Sequence, residues 1–335
     1  MSKNAATFDV IIPIYRVNPD WVSEALESLV AQTVGVAYWN AFIVDGTPSD
    51  DPLAQPIQEV CQKFCERFPN ATYVRQDKDR IGVSGARNQG ISLGNAPWVA
   101  FLDADDYWYE YHLAFLLEVI EQRLPEGMGT VDSPRESPSV IYTAADTIIP
   151  MSSVDGSPRP PMEKVIGHYD VAPLIHPCHD YYRLMAFPPI TSQVAVTREG
   201  LESINGFDDK LCIVEDTDCW MRILQNFGGD LIQCDAVGGF HRLSEFNTTT
   251  QGEQTPAQRE DFIASGDVIR ERHPRPTPQV IIDTAKEAGV EVDERYAAWL
   301  SNLTGGVNRE QSVLGERTVI TNDINAPWFA PHHIK

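Results

Sequence analysis

The chain has 335 residues, 42% of them hydrophobic, enough for a sizeable core in one large domain with an extension or in two domains. Its formal net charge of −22 argues against broad attraction to nucleic acid or to an anionic lipid surface. The six cysteines form no CxxC pair and read as reduced thiols; no apolar signal-peptide core and no run near the ~18 apolar residues of a membrane span is visible, so a cytoplasmic location is expected.

Phe8–Ile14 (FDVIIPI) reads as a buried strand with Pro13 near its end. Tyr15 and Arg16 follow in a loop, and Asn18-Pro19 reads as a helix N-cap with proline at the first helical position. Val22, Ala25, Leu26, Leu29 and Val30 recur at helical spacing. Trp39–Val44 is a second strand, closing on Asp45-Gly46. Ile57–Phe68 reads as a helix and Ala71–Val74 as a short strand. Ser84–Leu93 reads as a helix entered through Gly82 and Gly85. Trp98–Leu102 is a further buried strand, and a helix runs from about Tyr111 to Arg123. Strand–helix alternation of this kind predicts an α/β fold with a parallel sheet.

From Leu124 the texture changes. Segments 124–139 and 148–163 read as loops around a short strand at Val140–Tyr142. His176-Pro177-Cys178-His179 matches no zinc spacing and reads as loop. Phe187–Thr197 is a strand region and Asn205–Asp208 a turn. Glu215–Phe227 reads as a helix that packs Trp220 into the core. Leu231–Cys234 and Ala236–Phe240 are short apolar segments leading to His241-Arg242. Beyond Thr250 a helical extension is expected, with helices at Pro256–Arg272 and Pro278–Leu303, broken at His273–Pro276 and at Gly289.

The chemistry concentrates where the Trp98 strand ends, in Asp103-Ala104-Asp105-Asp106. Three carboxylates in four residues at the end of an apolar strand repel one another and lose hydration. A hard cation, Mg²⁺ or Mn²⁺, relieves that crowding. On these acids alone, a solvated acidic turn before a helix is the simpler reading.

Four ordered segments change the balance: VIIPIYRVNPDWVSEALESLVAQT (10–33), FIVDGTPSD (42–50), RIGVSGARNQGISLGNAPWVAFLDADD (80–106) and INGFDDKLCIVEDTDCWMRIL (204–224). Together they resemble family-2 glycosyltransferases, the GT-A group of nucleotide-sugar enzymes. The resemblance implies a GT-A fold: a Rossmann-like, mostly parallel sheet flanked by helices over 1–250, with 251–335 as the helical extension. It places a nucleotide half at about 1–106 and an acceptor half at about 107–250. It implies that Asp105 holds the metal and that Asp103 meets the ribose and the metal. Pro13 and Tyr15 line the nucleoside pocket in this reading, and Arg80 meets the nucleotide. Asp45 accepts the ring N–H of a uridine base, with Gly46 leaving access, although the second acid of the family's "VVDDGSTD" pattern is missing here. Arg87 either meets the nucleotide too or pairs with a neighbour on its helix surface. Glu215-Asp216 supplies the base of an inverting displacement, Asp216 first and Glu215 as a neighbour able to share the task. His241 stands where some related enzymes place a third metal ligand.

The implied activity is a metal-dependent inverting transfer of a sugar from a nucleoside diphosphate sugar, a UDP-sugar by Asp45, to an acceptor hydroxyl. A glycan, a lipid-linked sugar, a protein or a small molecule all remain open as acceptor. The alternatives are an inactive GT-A scaffold that binds nucleotide sugar or glycan, and a phosphatase of the haloacid-dehalogenase type, which carries its DxD on the first strand.

Overall fold

The first strand sets the frame. In the computed structural model, which describes residues 6–123, 138–148, 189–227, 230–242, 256–274, 276–287 and 292–303, all seven residues of β1 (Phe8–Ile14) are buried. Apolar side chains on both faces of a strand require cover on both sides, which crossover helices of a parallel sheet supply. β1 pairs in parallel with β2 (Trp39–Asp45) on one side and β4 (Trp98–Phe101) on the other, and β2 pairs with β3 (Ala71–Arg75). The joining helices are α1 (Pro19–Val30), α2 (Ala54–Arg67) and α3 (Gly82–Leu93). Asn18 caps α1 as expected, its side-chain oxygen accepting from the Asp20 N–H at 3.0 Å.

β1 and β4 pair only from Phe8↔Trp98 to Ile11↔Phe101, whereas β1 and β2 run together to Ile14↔Asp45. Pro13 lies past the last β4 pair, so its missing N–H opens no ladder bond on that side. Because β1 has β2 on one flank and β4 on the other, the strand order reverses there. The strands part at their carboxyl ends, the crevice in which open α/β sheets hold ligands.

Beyond β4 the sheet is mixed. Its order is β3-β2-β1-β4-β7-β6-β8-β5, with β5 (Tyr107–Trp108), β6 (Pro138–Ile148), β7 (Val194–Thr197) and β8 (Asp230–Arg242). β7 is antiparallel to both β4 and β6, β6 and β8 are parallel, and β5 closes the edge antiparallel to β8. The two short segments expected before His241 are one continuous strand, and the strand expected at Val140–Tyr142 is longer at both ends. Pairing with a long partner carries β6 and β8 across residues whose own sequence ends a strand; the register shifts between Tyr142 and Ala145 mark where it does so. Of Phe187–Thr197, expected as strand, the described residues are strand only from Val194, after a 3₁₀ turn at Thr191–Gln193.

α4 (His112–Arg123) packs against β6 and β8, and α5 (Arg198–Ser203) and α6 (Glu215–Asn226) follow β7. The core under α1 and α2 gathers Phe8, Val10, Ile12, Leu26, Leu29, Trp39, Ile57 and Phe64, together with Cys61. On another face Phe101, Phe207 and Trp220 pack ring to ring, with centroids 5.3 to 5.5 Å apart. Trp220 is fully buried there, as expected.

Among the described residues, a second compact unit takes up the chain from Phe262, within α7 (Pro256–Arg272), and includes α8 (Pro278–Glu287) and α9 (Glu294–Leu303). Ile281, Ala285 and Ala297 are buried within it, and the Ser301 hydroxyl donates to the Pro276 carbonyl at 2.8 Å. Gly289 and the His176–His179 run lie outside the described residues.

Candidate active site

The acidic turn sits at the end of β4, and α6 starts beside it. Arg87 joins them. One terminal nitrogen donates to Asp103 Oδ1 at 2.9 Å and the other to Glu215 Oε1 at 2.8 Å, from a side chain only 3% exposed. Burial opposes the guanidinium charge, but the carboxylates of Asp103, Glu215 and Asp216 outweigh it and raise its pKa above the usual value. Arg87 is therefore no surface residue. Asn88, next in the chain, clamps the Asn205–Phe207 turn: its side chain donates to the Phe207 carbonyl at 2.8 Å and accepts the Phe207 N–H at 2.9 Å. Asn205 and Gly206 take φ of 58° and 73°, the left-handed region that suits this pair. Arg222 holds the same turn from α6, donating to the Ile204 and Gly206 carbonyls. The third motif thus fixes the fourth in space.

Val214 precedes α6 at φ 58°, an outlier for a β-branched residue. Such strain costs about 1–3 kcal/mol and persists where surrounding contacts over-determine it. Here Glu215 is held by Arg87, and Asp216 Oδ2 accepts the Thr191 hydroxyl at 2.7 Å. Asp216 Oδ1 accepts the Thr217 N–H at 2.6 Å. Burial, and then the Asp216 charge, push the Glu215 carboxyl above its usual range against the pull of Arg87.

At the acidic turn the three carboxylates differ. Asp106 is buried and satisfied: it accepts the Ser192 hydroxyl, the Arg242 N–H at 2.9 Å and a contact from His241 Nδ1 at 3.2 Å. Burial opposes the His241 charge, but the Asp106 hydrogen bond and the three neighbouring carboxylates raise its pKa. Burial first, then the charges of Asp106 and Asp103, push the Asp105 carboxyl up to about 7. That crowding of negative charge is what a divalent cation relieves, and carboxylate oxygens with an imidazole are ligands such an ion accepts. Among the described residues no three His, Cys, Asp or Glu side chains converge as a ready ligand set. Asp103 is turned to Arg87 and His241 to Asp106, which accounts for it.

On the β2 side, Asp45 is fully buried. It accepts the Thr47 N–H at 2.8 Å, the Tyr73 hydroxyl at 2.8 Å and a nitrogen of Arg75. Burial, then the Asp45 bond, push the Tyr73 hydroxyl up to about 12, so it stays protonated and donates. Gly46 does not open a path to Asp45: a Cβ there would lie 2.2 Å from Gln76 Oε1, so the glycine makes room for that side chain. Pro13 is buried at the end of β1, and Tyr15 is 60% exposed beside Arg16, whose φ of 55° turns the loop. The Arg16 N–H donates to Thr47 Oγ1 at 3.0 Å, which ties this loop to the Asp45 turn. Arg80 is half-buried, and its carbonyl accepts from Gln76.

Thr191 and Ser192, which bind Asp216 and Asp106, were not singled out from the sequence. No local signal marks them, since their partners lie 25 and 86 positions away. An open groove of about 750 Å³ between α1 and the β5–β8 edge is lined by Trp21, Glu24, Tyr107, Phe240 and Arg242 among others. It contains none of the candidate residues. Arg242 already stacks on Trp21 and Tyr107 on Phe240, so these aromatic faces are covered.

Residues 9–134, which hold three of the four motifs, match the family model described as "Glycosyl transferase family 2". Over that stretch the chain is similar to family-2 glycosyltransferases. Among curated relatives it is 25% identical over 248 residues to the "Amylovoran biosynthesis glycosyltransferase AmsB" of Erwinia amylovora, covering 74% of this chain and 73% of that one. Three further relatives, glycosyltransferases or teichoic acid enzymes by name, are matched over only 10%, 18% and 16% of their length. Among solved structures, S. aureus TarS 1–349 in complex with UDP-GlcNAc superposes with a TM-score of 0.53 at 16% identity, covering 83% of this chain and 71% of that one. The Pyrobaculum calidifontis mannosyltransferase PcManGT, in complex with GDP-Man and Mn²⁺, gives 0.50 at 13% identity over 94% and 89%. The likeness to these structures shows the GT-A fold, a mostly parallel central sheet flanked by helices, and the family match with the named relatives supports a transferase. No helix of the described residues is long and apolar enough to cross a membrane.

Proposed function

We propose that the protein is a metal-dependent, inverting glycosyltransferase that takes a UDP-sugar as donor and an acceptor hydroxyl as nucleophile. One observation carries the reading: Arg87 holds Asp103, from the acidic turn, and Glu215, beside the candidate base, at 2.9 and 2.8 Å. A leaving-group site and a base site within one guanidinium of each other are what a single displacement at an anomeric carbon needs. In the reaction, Asp216 takes the proton of the acceptor hydroxyl as that oxygen bonds to the anomeric carbon. The bond from this carbon to the diphosphate oxygen breaks, and the diphosphate leaves with the electron pair.

Asp105, Asp103 and His241 are the residues to hold Mn²⁺ or Mg²⁺; the ion supplies the positive charge that neutralises the diphosphate. Pro13, Tyr15 and Arg80 border the nucleoside. Uridine is the base proposed, supported by the likeness to TarS, which binds UDP-GlcNAc. A base N–H gains access to Asp45 only where Tyr73 or Arg75 gives way, so the wall made by these three residues sets the base preference. A thermal-shift series of UDP, GDP, ADP and their sugars, each with and without Mn²⁺, tests this, because a ligand that binds the folded state raises its melting temperature. Stabilisation by UDP or a UDP-sugar that needs Mn²⁺ is the expected outcome. Equal shifts without metal, or none with any nucleotide, refute it.

A further inference from the structure

Arg87 is the one cation that contacts both the acidic turn and the base helix among the bonds described above. We propose that Arg87 is a positioning residue that fixes the base helix against the donor end of the site by holding Glu215 and Asp103 in one guanidinium fork. This rests on the transferase reading above.

Several observations bear on it. Arg87 is 3% exposed and both terminal nitrogens are engaged, so it has little surface to offer a ligand. Its partners stand 16 and 128 positions away, one at the end of β4 and one at the start of α6. Its guanidinium carbon lies 5.3 Å from the centroid of the Phe207 ring, which packs on Phe101 and Trp220 and so fixes the fork from behind. Its Nε has no hydrogen-bond partner among the described residues, so the terminal pair carries the directional bonding. Glu215 is the residue between the left-handed Val214 and Asp216; held at Oε1, it sets the direction in which Asp216 leaves the helix start. A planar fork can hold two carboxylates at fixed angles, whereas a lysine ammonium is a point charge on a flexible stem. The charge is the same, and the geometry is lost.

The test uses the full chain with Arg87→Lys, Arg87→Gln, Glu215→Gln and the Arg87→Gln/Glu215→Gln double variant. Release of nucleoside diphosphate from a UDP-sugar with Mn²⁺ gives kcat and the donor KM. Calorimetry gives the UDP affinity, and circular dichroism confirms that each variant is folded at the assay temperature. Expected is a kcat lowered about 10²-fold in Arg87→Lys, the loss typical of a small misplacement of reacting groups, with donor KM and UDP affinity changed less than about threefold. The double variant should be no slower than Arg87→Gln, because both changes break one link. A kcat near normal in folded Arg87→Lys overturns the proposal. So does a UDP affinity that falls as far as kcat, which would place the role of Arg87 in donor binding, directly or through Asp103, and so do additive losses in the double variant. Wild-type protein that releases no diphosphate from any donor refutes the transferase reading instead. In that case urea midpoints of the same four variants decide whether Arg87 and Glu215 act as one unit, and additive midpoint shifts reject even that.

Discussion

Replacing Asp216 by asparagine separates a base from a structural carboxylate. The side chain keeps its shape. Its Oδ1 can still accept the Thr217 N–H, now 2.6 Å away, and the new amide can donate to the Thr191 hydroxyl that now donates to Oδ2 at 2.7 Å. What is lost in stability is the charge-assisted part of two hydrogen bonds, about 1 kcal/mol in all. What is lost in catalysis is basicity, worth about 10²–10⁴-fold, or roughly 3–5 kcal/mol of barrier. The two magnitudes are far enough apart to be told apart. Turnover is measured as diphosphate release, stability by urea denaturation, UDP affinity by calorimetry and the anomeric configuration of the product by NMR. The expected result is a folded variant with near-normal UDP affinity and turnover down by at least about a hundredfold. Near-normal turnover would rule out Asp216 as the base, and a retained anomeric configuration would rule out single displacement.

Chelation by EDTA, or Asp105→Ala, should weaken UDP binding by at least about tenfold, or 1.4 kcal/mol; calorimetry showing one affinity with and without metal would sink the metal assignment. In competition binding UDP should outcompete GDP and ADP, and a purine preference would leave Asp45 as only the anchor of Tyr73 and Arg75. Trp220→Ala removes a fully buried ring packed on Phe101 and Phe207 and should cost about 3–5 kcal/mol in urea denaturation; a loss under about 1 kcal/mol would show that this face closes without it. Burial lowers the pKa of His112 from 6.5 to about 3, so it stays neutral in the fold while the unfolded chain takes a proton below about pH 6.5. The unfolded chain then binds more protons, and stability should fall by about 1.4 kcal/mol per pH unit from pH 6.5 towards 3. His112→Gln should flatten that slope by about one proton, and an unchanged slope refutes the assignment.

The amino-acid sequence by itself determined the local elements and the kinds of chemistry. Phe8–Ile14, Trp39–Val44 and Trp98–Leu102 are apolar enough that only a buried strand accommodates them, and Asn18-Pro19 writes the start of α1 in two residues. The four motifs standing in sequence brought out Asp103, Asp105, Glu215 and Asp216 through their resemblance; taken alone, acids at a turn or at a helix start are ordinary. Only the tertiary structure decided what these groups touch. The mixed order β4-β7-β6-β8-β5 depends on pairings between segments up to about 130 positions apart, for which no periodicity exists in the chain. Asp45 looked open because Gly46 follows it, yet Gln76, Tyr73 and Arg75 close around it from β3 and the loop beyond. Arg87 could be read as a nucleotide contact or a surface pair; folding takes it off the surface and buries it between two carboxylates that a one-dimensional pattern cannot bring together. Periodicity reports which face of an element is buried. Which charges meet in that buried space depends on the packing of every element at once.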